Sequence, residues 1–165
     1  MKLHIIGPSG AGKTYLGKKL SAATGVAVTS LDDLFWNNTS FTKRDPAQRD
    51  ALLSEVLRRD SWILEGVQYA WLGEAFCQAD GIILLEFPAL LCWVRIVRRF
   101  FRRKLTGTAR KNESFRALVD LLAWTKKFYR VNLPEIHRVL EPYSEKVTVI
   151  GSKRQMKEYI EKWEK

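Results

Sequence analysis

The first residues with the types and spacing for chemistry are Gly7-Pro8-Ser9-Gly10-Ala11-Gly12-Lys13-Thr14, which fit the pattern G-x-x-x-x-G-K-[ST]. Glycines at these positions allow backbone angles that turn successive N–H groups inward around a phosphate. A helix starting at the same point adds its positive end. The spacing lets Lys13 reach terminal phosphates and gives the Thr14 hydroxyl a coordination place on Mg²⁺. The ligand this predicts is a nucleoside triphosphate, ATP with Mg²⁺. A chance match in a glycine-containing turn is the alternative. Against it stand an apolar run before the motif and a helical pattern after it.

Two further groups could take part. Asp32 and Asp33 follow an apolar segment, where parallel-sheet proteins place ligand contacts outside the carboxyl ends of their strands. One of them could orient a hydroxyl or accept its proton; the structural alternative is an N-cap for a short helix through Leu34 to Trp36. Phe35, Trp36 and Phe41 nearby, and Trp124, Phe128 and Tyr129 later, are read as core packing ahead of ring stacking on a substrate. The third feature is charge. From Arg95 to Lys111 there are eight basic residues and no acidic one, within a chain of net charge +10. A run like this is either a solvated basic face or a site for several phosphates.

The elements that must hold these groups alternate. Lys2 to Ile6 reads as a buried strand, and Lys13 to Ala23 as a helix stopped by Gly25. Val26 to Leu31 is a second strand. Pro46 starts a helix with Asp45 as N-cap and Leu52, Leu53, Val56 and Leu57 on one face. Trp62 to Leu64 and Gly81 to Phe87 are further strands, the latter a nearly continuous apolar run suited to a central parallel position. Helices follow from Pro88 to about Arg103, Glu113 to Arg130 and Pro134 to about Leu140; then comes a fifth strand, Lys146 to Ile150, and a closing helix, Lys153 to Trp163. Strands alternating with helices predict a parallel sheet with right-handed crossovers.

Length and composition fit one soluble domain: 165 residues, 46% hydrophobic and 28% charged. No stretch reaches the roughly 18 apolar residues of a membrane span, since Gly81 to Val97 is broken by Glu86, Pro88 and Arg95. A strand beginning at Lys2 leaves no room for a signal peptide, so a cytoplasmic location is expected. Cys77 and Cys92 are expected to be reduced and buried, and with His4 and His137 they have no zinc-ligand spacing.

The phosphate loop, together with Leu31-Asp32-Asp33-Leu34-Phe35-Trp36, Trp62-Ile63-Leu64-Glu65-Gly66, Phe87-Pro88-Ala89-Leu90-Leu91-Cys92-Trp93 and the aromatic-basic region Trp124 to Arg130, resembles the adenylate-kinase-like group of P-loop kinases. Within that group the chain resembles small bacterial proteins known as DNA topology modulation proteins. The resemblance implies a three-layer α/β/α fold around five parallel strands, with an acceptor-side segment at about 32–60 and a lid at about 100–113. It implies that Glu65 helps hold the water shell of Mg²⁺; a strand-end carboxylate capping a loop is the structural alternative. It implies too that Arg95 and Arg99, four apart and so on one helical face, begin the lid, stack on adenine and grip phosphate oxygens. Arg110, Lys111 and Arg116 could join them, whereas Arg102, Arg103 and Lys104 read as a solvated face. The group's usual arginine after the third strand is missing, for this chain has Glu65-Gly66-Val67-Gln68-Tyr69.

The function expected is transfer of the ATP γ-phosphoryl to a small acceptor, a nucleoside or nucleotide among the candidates, with Lys13, Arg95, Arg99 and Asp32 carrying catalysis. A nucleotide-dependent nucleic-acid-binding protein and a hydrolysis-only NTPase are the alternatives. The basic charge alone predicts weak, non-specific binding to nucleic acid.

Overall fold

A computed structural model of the chain describes residues 1–37, 42–108 and 114–164. Five strands run parallel in the order β2-β3-β1-β4-β5: β1 is Lys2–Ile6, β2 Val28–Ser30, β3 Trp62–Gly66, β4 Gly81–Leu85 and β5 Val147–Ile150. β1 lies in the middle, its register pairing Ile6 with Gly66 on one side and with Leu84 on the other. The loop after β1 therefore emerges between the ends of β3 and β4, at the point where the strand order reverses.

Alternate residues of each strand feed two separate cores. Ile6, Leu64, Trp62, Ile82 and Leu84 face one layer of helices with Leu53, Val56, Phe76, Phe128 and Ile136. Leu3, Ile5, Ile63, Ile83 and Leu85 face the other, with Leu16, Leu20, Cys92, Met156 and Ile160. Burying each of these large side chains contributes about 1.5–3 kcal/mol. This two-sided burial is why the central strands read as unbroken apolar runs.

The helices are α1 (Lys13–Thr24), α2 (Leu31–Phe35), α3 (Pro46–Leu57), α4 (Gly73–Gln78), α5 (Ala89–Leu105), α6 (Phe115–Lys127), α7 (Leu133–Leu140) and α8 (Lys153–Glu161). α3 starts as expected: Pro46 needs no hydrogen bond there, and the Asp45 carboxylate accepts from the N–H groups of Ala47 and Gln48.

Several expectations are corrected. β2 is shorter than Val26 to Leu31, because Leu31 already opens α2. α4 was not anticipated; six residues are too few to show a helical period. The pattern expected to be two helices, Glu113 to Arg130 and Pro134 to Leu140, is one rod in which a π-helical turn, Phe128–Asn132, joins α6 to α7. Pro134 has no N–H to give and its ring would crowd a regular turn, so the helix widens, with the Leu133 N–H donating to the Phe128 carbonyl. Cys77 is exposed rather than buried, whereas Cys92 is buried. Trp36 is 39% exposed, so it is not the core residue expected. Phe41, Arg110, Lys111 and Glu113 lie outside the described residues. Among the described residues, no helix is long and apolar enough to cross a membrane.

Candidate functional site

The loop Gly7 to Thr14 leaves β1 and becomes α1 with Gly12 in the left-handed region, at φ 103°. Gly10 is also left-handed, and a Cβ there would meet the Cys92 carbonyl oxygen at 2.5 Å, so the start of α5 lies directly against the loop. The Lys13 ammonium donates to the Pro8 carbonyl at 3.0 Å, folding back over the loop. Burial is the main cause that pulls its pKa down to about 8; Glu65 and Asp32 act to raise it and Arg99 to lower it further. Glu65, Asp32 and Arg99 are thus near enough for their charges to act on this ammonium.

The Thr14 Oγ1 donates to Glu65 Oε1 at 3.0 Å, joining the first turn of α1 to the end of β3. Glu65 is buried, at 6% exposure. Among the described residues no group of three or more His, Cys, Asp or Glu could hold a metal ion. Mg²⁺ fits this place nevertheless: it takes oxygen donors, keeps several waters, and uses few protein ligands beside phosphate.

Arg95 and Arg99 do not share one task. Arg95 Nη1 donates to the carbonyls of Gly10 (3.2 Å) and Ala11 (3.1 Å), and its guanidinium lies over the Phe87 ring, 4.6 Å from the centroid. It clasps the phosphate loop from behind. Arg99, one turn on and exposed, is the one whose charge acts on Lys13. Replacing either with alanine should lower turnover by about tenfold or more, the scale for a charge acting on a transferring phosphoryl group. Arg95→Ala should also weaken ATP-dependent thermal stabilisation, because it frees two loop carbonyls. Charge reversal at Arg103 should do far less, and steady-state kinetics of the three variants check the assignment.

Asp32 and Asp33 are exposed in the first turn of α2, where a helix favours negative charge. Neither is the N-cap, a position held by Ser30, so that alternative is set aside. Asp32 Oδ1 instead accepts from Gln68 Nε2 at 2.9 Å, and Gln68 Oε1 accepts from the Val67 N–H at 3.2 Å.

Several contacts escaped the sequence reading. The Tyr129 hydroxyl donates to the Phe87 carbonyl and lies 3.3 Å from Cys92 Sγ; burial first, then Cys92, pushes its phenol well above the usual range. Tyr69 donates to Glu135 Oε2 at 2.6 Å and accepts from Asn132 Nδ2 at 3.1 Å. These partners are over sixty residues apart in two cases, and no local pattern announces them.

Strand order, helix layers and the loop after the central strand together make this the fold of the P-loop kinases. The solved structures similar to it include shikimate kinase from Acinetobacter baumannii in complex with shikimate, at TM-score 0.58 and 22% identity, covering 98% of this chain and 89% of that one. A gluconokinase from Sinorhizobium meliloti 1021 superposes at TM-score 0.57 and 15% identity, covering 98% and 88%. In sequence the chain is 23% identical over 142 residues to the uncharacterized protein YqaC of Bacillus subtilis (strain 168), or 86% of this chain and 80% of that protein. No family model matches.

Proposed function

We propose that this protein is a cytoplasmic phosphotransferase that moves the γ-phosphoryl group of ATP to a hydroxyl of a small acceptor. The observation that carries the reading is the geometry of the loop at the carboxyl end of β1, where Thr14 Oγ1 donates to Glu65 Oε1 at 3.0 Å and Arg95 Nη1 donates to the loop carbonyls of Gly10 and Ala11. The kinase names of both structural neighbours support it.

In this reading the inward N–H groups of residues 7–14 and the Lys13 ammonium bind the β- and γ-phosphates. Thr14 and Glu65 would hold Mg²⁺, which would supply charge neutralisation for the phosphate oxygens. Asp32, steadied by Gln68, orients the acceptor hydroxyl and takes its proton as the oxygen attacks the γ-phosphorus. The bond from that phosphorus to the β-bridging oxygen breaks, and ADP leaves. Arg99 stabilises charge on the migrating group.

A second reading, nucleotide-dependent nucleic-acid binding, draws on the basic last turn of α5 at Arg102, Arg103 and Lys104. Gel-shift titrations at two salt concentrations separate them. A kinase with a basic lid should bind DNA without sequence preference, lose it steeply between low and physiological salt, and release it to ATP with Mg²⁺. Salt-resistant binding that ATP strengthens would overturn the kinase reading; labelled phosphoryl transfer from γ-labelled ATP to a small molecule would support it.

A further inference from the structure

Resting on the kinase reading, we propose that the acceptor is an uncharged ring compound bearing hydroxyl groups, of the sugar, cyclitol or nucleoside kind, selected by Asp32 and Gln68. A carboxylate or phosphate on the acceptor needs a guanidinium or ammonium to meet it, because burying an unpaired anion is costly. The segment 32–60 carries five basic residues: Lys43, Arg44, Arg49, Arg58 and Arg59.

Each is engaged or placed elsewhere. Arg44 donates through Nε to the Leu34 carbonyl at 3.1 Å, and through Nη2 to those of Asp33 (3.3 Å) and Trp36 (3.2 Å), binding the end of α2. Arg49 is paired with Asp50 at 2.7 Å and lies over Trp71, 4.3 Å from the ring centroid. Lys43 sits 5.8 Å from the Phe35 ring centroid. Arg58 and Arg59 connect α3 to the start of β3, at the opposite end of that strand from Glu65. The part of this segment outside the described residues, 38–41, is Asn-Thr-Ser-Phe and contributes no cation. From the facing rod, Arg130 lines a surface concavity with Ala123, Lys126, Lys127 and Val131, among which no strand-end residue appears.

Among the described residues at the ends of β2 and β3, and apart from Lys13 and Arg99, which the reading above gives to the ATP phosphates, the polar side chains on offer are a carboxylate and a carboxamide joined at 2.9 Å. An amide that both donates and accepts, next to an accepting carboxylate, matches vicinal hydroxyls. An acceptor anion would meet Asp32 as a like charge. Trp36, one turn on from Asp32 and 39% exposed, adds an apolar ring face for a cyclic compound.

The test gives the purified full chain ATP, Mg²⁺ and matched acceptor pairs: sugars and cyclitols against their acids and phosphates, nucleosides against their monophosphates. ADP release and the mass of the phosphorylated product are read together. The neutral member of the productive pair should win by about tenfold or more in kcat/KM. Gln68→Arg, checked for folding by its melting curve, should shift that preference toward the anionic member. An anionic acceptor preferred by the native chain would overturn this inference and leave the kinase reading standing. Stabilisation by ATP with Mg²⁺ but no phosphorylated product from any acceptor would overturn both.

Discussion

Lys13→Ala should abolish phosphoryl transfer and leave the fold intact. Lys13 is the first residue of α1, and its ammonium donates to the Pro8 carbonyl within the same loop, so its hydrogen bond ties in no distant element. In the native chain, ATP with Mg²⁺ stabilises by mass action, by about 2.7 kcal/mol at a hundredfold excess over the dissociation constant. The variant should lose most of that shift in paired melting curves, and an unchanged shift would disprove the assignment of this loop. A pH series adds an independent check. With its ammonium held at about 8 in the free protein, Lys13 takes up a proton when phosphate arrives, so ATP affinity should fall as pH rises above that value.

The second large effect has nothing to do with ATP. His4 is wholly buried on β1, stacked on Phe76 at 4.9 Å between centroids, and neither ring nitrogen has a hydrogen-bond partner among the described residues. Burial lowers its pKa to about 3, from 6.5 for the exposed group. The sign follows from proton uptake. Between these values the unfolded chain binds a proton that the folded chain refuses, so stability is full above pH 6.5 and is lost as pH falls toward 3. The slope is about 1.4 kcal/mol per pH unit, or about 2 kcal/mol by pH 5. His4→Leu removes the titrating group and two unsatisfied buried nitrogens at similar volume. Its urea midpoint should exceed the native one at pH 7, and the advantage should widen by pH 5. Equal pH dependence in the two proteins would mean that His4 carries a partner.

His4 also marks the boundary of what the sequence conveys. In a run such as Lys2 to Ile6 it registers as an interruption, and only the pairing of β1 between β3 and β4 shows that both its faces are enclosed. The phosphate loop was legible because its chemistry is contiguous: glycine angles, a helix start and Lys13 follow one another along the chain. The parallel sheet was legible for a related reason, since two-sided burial writes itself as unbroken apolar runs. The Thr14–Glu65 hydrogen bond joins residues fifty-one apart, and Glu65 entered through resemblance rather than from any local pattern. Arg95 and Arg99 share a helical face by spacing, yet one clasps the loop and the other influences Lys13. Spacing fixes a direction from the helix axis and says nothing of what stands there. Gln68, Tyr129 and Asn132 are ordinary residue types in ordinary positions, and the fold alone gives them partners.

The widened turn at Phe128–Asn132 has a bearing on how this chain can change by mutation. Tyr129 reaches back to α5 behind the phosphate loop, and Asn132 reaches to Tyr69 beyond β3. A regular helix advances about 100° per residue, so positions three apart stand about 60° from one another, while a π turn spreads them further. One residue more than an α-helical turn requires is thus what allows neighbouring positions to serve two sides of the sheet end. Deleting a single residue between Phe128 and Asn132 would let a regular turn close with α7 facing nearly as before, but it would remove the extra position that separates Tyr129 from Asn132. Shortening the chain here should therefore cost one of the two ties while leaving the flanking helices packed as they are.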